Sequence, residues 1–201
     1  MTRILLAEDQ GMLRTAIAQL LDLETDMEVV AQVGRGDEIV PAAVEHQVDV
    51  ALLDIDLPGG SGLDALPALA EQLPDCAPII VTTFARAGYL RRAMASGARG
   101  FLVKDDPVEQ LAASIRRVLA GERVVQPDLA TAALSAPANP LSGREQEVLV
   151  ASRGGATVAD MAARLFLSEQ TVRNYLSAAI GKTGARNRAE AESLAMEHGW
   201  I

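Results

Sequence analysis

Five apolar runs of strand length, at residues 4–7, 29–33, 50–53, 79–82 and 100–103, are spaced so that one helix fits between each pair. They restrict the fold more than any other feature of the chain. Each run is apolar almost throughout instead of alternating, which marks a strand buried on both faces and hence a parallel sheet covered by helices on each side. Between the runs, apolar residues return at helical period: Met12, Ala16, Leu20 and Leu23 form one face of the first intervening segment, and Leu111, Ile115, Val118 and Leu119 one face of the last. The expected fold of residues 1–121 is therefore α/β, a doubly wound parallel sheet of five strands. Ligands of such sheets sit at the carboxyl ends of the strands.

After Gly121 the pattern breaks. Residues 122–140 read as a linker with one helical turn, running from Pro127 through an alanine-rich stretch to Pro137-Ala138-Asn139-Pro140. In residues 141–201 the signals are those of helix starts: Ser142-x-x-Glu145, Thr157-x-x-Asp160, Ser168 and Asn187-x-x-Glu190 each precede a helical pattern. A small all-α domain of four short helices is expected. Gly154-Gly155 closes the first helix, and Phe166-Leu167 makes the tight turn between the second and third, the arrangement of a helix-turn-helix.

Composition limits the function classes. No apolar run approaches the ~18 residues that a membrane span needs, and the N-terminal run stops at Glu8-Asp9, too soon for an export signal. A soluble cytoplasmic protein with no membrane partner is expected. The single cysteine, Cys76, forms no intramolecular disulfide and lacks neighbours for a zinc site. The formal charge of −9 disfavours nucleic acid until it is divided: residues 1–136 hold 11 of the 18 Lys and Arg and 20 of the 27 Asp and Glu, so the remainder is neutral. A neutral tail can still place arginine on one face.

Chemistry concentrates at the expected strand ends. The first strand runs into Glu8-Asp9, and the third into Asp54, followed by Asp56 and the Pro58-Gly59-Gly60 turn. One acidic residue at a strand end is ordinarily a solvated loop residue, but four at converging ends repel unless a cation neutralises them. Hard oxygen donors in that number suit Mg²⁺. Asp54, held at the strand tip, is then the candidate nucleophile toward a phosphoryl group. The fourth strand ends in Thr82-Thr83 and the fifth in Lys104. Lys104 and Lys182 are the only lysines among 18 basic residues, and a lysine kept where arginine is the rule points to a need for a compact charge. His46 and His198 lie near no nucleophile motif and read as solvated.

Glu8-Asp9, Asp54, the Asp54-x-x-x-Pro58-Gly59 turn, Thr82, Gly97-Ala98-x-Gly100-Phe101 and Lys104-Asp105 together resemble the bacterial receiver domains of two-component signalling. The resemblance implies that Asp54 is phosphorylated by a sensor histidine kinase. It further implies that Asp9, Asp54 and the main chain at Asp56 ligate Mg²⁺, that Glu8 acts through water, and that Thr82 and Phe101 move as a switch. The segment from Leu141 through Ala162-Ala163-Arg164-Leu165-Phe166-Leu167-Ser168-Glu169-Gln170-Thr171-Val172-Arg173 looks like the NarL or LuxR type of output domain, closest in wording to the DesR-like branch. By that resemblance residues 168–182 form the recognition helix, presenting Gln170, Arg173, Asn174 and Ser177 to base edges of double-stranded promoter DNA. Lys182, Arg186 and Arg188 then suit its phosphates. With few basic residues on that helix, a homodimer is expected to bind. Apolar residues in excess of one buried stripe on the first and fifth helices make Ile17, Val108 and Ala112 the expected interface, the alternatives being that both helices are simply core or that pairing uses the fourth helix and fifth strand.

Two other readings exist. Asp54-Ile55-Asp56 also looks like the Asp-x-Asp of haloacid-dehalogenase-type phosphatases, although those place the pair on their first strand; the expectation is that the chain is not an enzyme. A degenerate receiver serving only as a dimerisation module is disfavoured by the presence of Glu8, Asp9, Asp54, Thr82 and Lys104 together.

Overall fold

The computed structural model describes residues 1–83, 86–104, 108–135 and 138–201, and only the backbone at 108, 109, 132, 134 and 135. The chain divides into two compact units, Met1–Ala85 with Leu90–Thr131, and Arg86–Tyr89 with Ala132–Ile201.

The five apolar runs all form strands: β1 (Thr2–Ala7), β2 (Met27–Val33), β3 (Val50–Leu53), β4 (Ala77–Thr82) and β5 (Gly100–Val103). Helices α1 (Gly11–Asp22), α2 (Ile39–His46), α3 (Gly62–Gln72), α4 (Ala87–Ala95) and α5 (Val108–Leu119) follow them in turn. A further short strand, β6 (Val124–Val125), pairs parallel with β5, so the sheet has six strands in the order β2-β1-β3-β4-β5-β6 instead of five. Two residues are too few to show any period, and the segment read as linker hid them. It also holds α6 (Pro127–Ser135), nine residues where one turn was expected.

All sheet pairings are parallel, and the order turns back between β1 and β3. Side chains alternate between the two faces. Ile4, Leu6, Leu52, Ile79 and Val81 meet Ile17, Leu21, Ala112, Ile115 and Val118 of α1 and α5 in one buried cluster. That packing corrects the reading of α1. The stripe expected to face the core is solvent-facing, with Met12 90%, Leu20 42% and Leu23 78% exposed, whereas Ile17 and Leu21 are buried. Helix α1 is apolar on both sides, so period alone did not choose between them. Ile17 and Ala112, expected as leftover interface residues, belong to the core; the Val108 side chain lies outside the described residues, as does Asp105.

The second unit contains α7 (Gly143–Ala151), α8 (Val158–Leu165), α9 (Glu169–Thr183) and α10 (Arg188–Glu197). Each begins at the cap the sequence indicated. Ser142 with Glu145 and Thr157 with Asp160 form reciprocal capping boxes, and Ser168 and Asn187 accept from the backbone N–H of Thr171 and Glu190. Such caps contribute about 1 kcal/mol each. Val148, Leu149, Met161, Val172, Leu176, Ala179, Ala191 and Ala195 close a shared core. Helix α8 ends at Phe166 in the left-handed region (φ 54°), and Leu167 N–H reaches back to Ala162 O at 2.9 Å, which turns the chain into α9.

Candidate functional site

The reversal of strand order between β1 and β3 opens the crevice where such sheets bind ligands, and Glu8, Asp9 and Asp54 follow directly from these two strands. Backbone bonds hold the strand ends together: Asp54 N–H donates to Ala7 O at 3.0 Å. The three residues offer carboxylate oxygens all within 4.8 Å of one another. Glu8 and Asp54 are buried and Asp9 is exposed, so the cluster opens to solvent on one side. Close packing fixes Asp54 from behind. A Cβ at Gly62, the first residue of α3, would stand 2.1 Å from Asp54 O, so only glycine lets that helix begin against the strand tip.

Lys104, at the end of β5, completes the site. Its Nζ lies 2.7 Å from Asp54 Oδ2 and 2.5 Å from Glu8 Oε2, with the lysine side chain 7% exposed. Burial works against the ammonium, but hydrogen bonds to Asp54 and Glu8 outweigh it and hold the Lys104 pKa above its ordinary value. Asp54 Oδ1 accepts from Ile55 N–H at 2.7 Å, so both carboxylate oxygens are oriented. Glu8 is likewise fixed, with Oε1 accepting from Gln10 N–H and its carbonyl from Arg14.

Thr82 is fully buried at the end of β4, while Thr83 is exposed. Phe101 is fully buried in β5. Asp56 is exposed on the loop after Asp54. Cys76 belongs to no reactive centre: burial pushes its thiol up to about 12.

On the second unit, Gln170, Arg173, Asn174 and Ser177 all lie exposed along α9, and Val172, Leu176 and Ala179 are its buried face. Glu169 shares the exposed stripe and went unnoticed in the sequence. Its spacing of four residues before Arg173 was the available signal. The three expected phosphate ligands differ. Arg186 is exposed beside Glu190, at 2.9 Å. Arg188 donates to Ala156 O at 2.7 Å, tying the start of α10 to the loop before α8. Lys182 Nζ lies 2.8 Å from Oε2 of Glu145, whose side chain is 6% exposed, so this lysine joins α9 to α7.

A parallel α/β unit with a carboxylate and lysine site at its switch point, followed by a capped helix-turn-helix unit, is the architecture of a regulator with a receiver and an output domain. Comparison with known proteins agrees. Residues 4–116 match the response regulator receiver domain, and residues 139–195 match the family described as bacterial regulatory proteins, luxR family. Over the whole of both chains, this protein is 45% identical to the uncharacterized transcriptional regulatory protein YvfU and 44% identical to the transcriptional regulatory protein DesR, both of Bacillus subtilis (strain 168). Among solved structures, the response regulator ChrA of a heme-sensing two component system is 32% identical with a TM-score of 0.56, covering 99% of this chain and 98% of that one. A LuxR-family DNA-binding response regulator from Staphylococcus aureus is 34% identical with a TM-score of 0.57, covering 59% and 99%. The chain belongs to the NarL/LuxR family of response regulators. These are transcription regulators and not enzymes, which sets aside the phosphatase reading of Asp54 and Asp56.

Proposed function

We propose that a sensor histidine kinase phosphorylates this chain on Asp54, and that the phosphorylated form pairs as a homodimer and binds double-stranded promoter DNA through α9. The observation that carries the reading is the Lys104 ammonium bound to both Glu8 and Asp54 at adjoining strand ends. An Asp54 carboxylate oxygen attacks the phosphorus of a phosphohistidine, the P–N bond breaks, and the imidazole departs with the electron pair. Lys104 then turns from the carboxylate to a phosphoryl oxygen. Three mutually close carboxylates, one open to solvent, fit Mg²⁺ with retained waters, so Glu8, Asp9 and Asp54, with the Asp56 main chain, would hold it. The ion would neutralise charge on the phosphoryl oxygens. Buried Thr82, whose carbonyl accepts from Lys104 N–H at 2.9 Å, and buried Phe101 on β5 are the residues proposed to rearrange once the phosphoryl group is in place.

Among the described residues no helix is long and apolar enough to cross a membrane, and a cytoplasmic setting suits partnership with a kinase. Residues 1–121 are assigned to the receiver, 122–140 to the linker and 141–201 to the output domain, with β6 continuing the receiver sheet into the linker. For dimerisation, the proposed surface is the exposed stripe of α1, Met12, Leu20 and Leu23, with Leu119 of the adjacent α5. Incubation with a small phosphodonor and Mg²⁺ is expected to add one phosphoryl group. Asp54→Ala and chelation of the metal are each expected to abolish it. Labelling of Asp54→Ala equal to wild type would refute the assignment.

A further inference from the structure

Helix α9 carries four long polar side chains on one exposed stripe, and they are joined in two parallel pairs. Arg173 Nη2 donates to Glu169 Oε2 at 2.6 Å, and Gln170 Nε2 donates to Asn174 Oδ1 at 3.0 Å. Both pairs span one helical turn, where side chains four apart lie over one another. Glu169 and Arg173 are about half exposed, so nothing within the unit buries the pair.

Resting on the reading of α9 as the recognition helix, we propose that Glu169 is a specificity-determining residue that reads a cytosine beside the guanine read by Arg173. A carboxylate on a surface meant for DNA meets phosphate repulsion, and Arg173 neutralises it in place. The helix N-terminus favours a negative charge at this position, but a carboxylate anywhere in the first turn would satisfy that preference. The spacing of four sets the Glu169 carboxylate against Arg173, so on the stripe it stands already paired with the one basic residue there. In the major groove, arginine donates to guanine O6 and N7, and a carboxylate accepts from the cytosine N4 amino group. The arginine fork has five donors, so it can engage guanine while one N–H still holds Glu169. Tips 2.6 Å apart reach no further than the next base pair, which stacks at about 3.4 Å. On an adjoining step the pair selects a G·C pair next to a C·G pair, and Glu169 also fixes the rotamer from which Arg173 reads.

The test is selection of full-length, phosphodonor-treated protein on a randomised duplex pool, followed by sequencing, for wild type, Glu169→Gln, Glu169→Ala and Arg173→Ala. Wild type is expected to enrich adjoining guanine and cytosine. Both Glu169 variants are expected to lose the cytosine preference by about ten-fold, the scale of one good base contact, and to keep part of the guanine preference. Arg173→Ala is expected to lose the guanine preference. Unchanged preference at every position in Glu169→Ala, with uniformly tighter binding, would overturn the proposal and leave the carboxylate as a source of repulsion only. Absence of any enriched sequence with wild type, or an Arg173→Ala profile like wild type, would overturn the placement of the recognition helix itself.

Discussion

Replacing Lys182 by alanine separates two roles for a basic residue at the end of α9, the proposed recognition helix. As a phosphate ligand, Lys182 would contribute to binding of all sequences alike and its loss would lower the salt slope by about one unit. The structure instead places its Nζ 2.8 Å from a Glu145 carboxylate that is 6% exposed. Removing the lysine leaves that carboxylate with Ser142, whose N–H donates at 2.7 Å and whose hydroxyl also hydrogen-bonds to it. Breaking a fully buried pair costs about 3–5 kcal/mol and an exposed one about 0–1 kcal/mol. With the lysine itself 44% exposed, a loss of about 1–2 kcal/mol follows. For a unit of this size each kcal/mol lowers the melting temperature by about 4–8 °C. Lys182 holds the Glu145 carboxyl below its ordinary value. A lowered folded-state pKa contributes stability above the unfolded value of about 4.3 that is lost as pH falls through the folded value. Thermal melts of the full chain from pH 7 downward are therefore expected to show a gap between wild type and Lys182→Ala that closes in acid. Equal melting at neutral pH, together with a salt slope reduced by one, would refute this and return Lys182 to the DNA backbone.

Two further outcomes follow from the receiver unit. Leu20→Asp, on the exposed stripe of α1, is expected to leave phosphorylation intact and reduce dimerisation in sedimentation with phosphodonor, whereas Ile17→Asp buries a charge and is expected to unfold the unit. Gly62→Ala, which sets a Cβ 2.1 Å from Asp54 O, is expected to cost about 1–3 kcal/mol, the usual scale of overpacking, in a chemical denaturation series, and to slow labelling of Asp54.

The acidic site was legible in the sequence because a parallel sheet leaves little freedom at its strand ends. Once residues 4–7 and 50–53 were read as strands of one parallel sheet, Glu8, Asp9 and Asp54 fell at the same edge of it, and the structure brings them together. Lys104 was read the same way, from the end of β5 and from its rarity in an arginine-rich chain. The output unit was legible for a different reason: its caps are local, each cap bonding to a residue three positions on. What stayed hidden depended on choices among near-equal options. Helix α1 offers two apolar stripes, and only its packing on the sheet shows that Leu21 lies inside and Leu20 outside.

The same limit explains the basic residues of the output unit. A sequence reports that Lys182 and Arg188 are charged and lie near a recognition helix, and in a neutral domain every such charge looks reserved for phosphate. Long side chains, however, reach back across helices as readily as they reach outward. Arg188 spends its guanidinium on Ala156 O and Lys182 its ammonium on Glu145, contacts that join residues 32 and 37 positions apart. No local pattern encodes such partners. With those two charges paired within the fold, the basic groups on α9 and just after it whose partner is local are Arg173 on the stripe and Arg186, each beside a carboxylate four residues away. Backbone attraction alone is then a weak source of affinity for one copy of the domain. Under the proposed function, affinity for DNA would come from base contacts made by two copies held together, the dependence on dimerisation that the proposed phosphorylation switch requires.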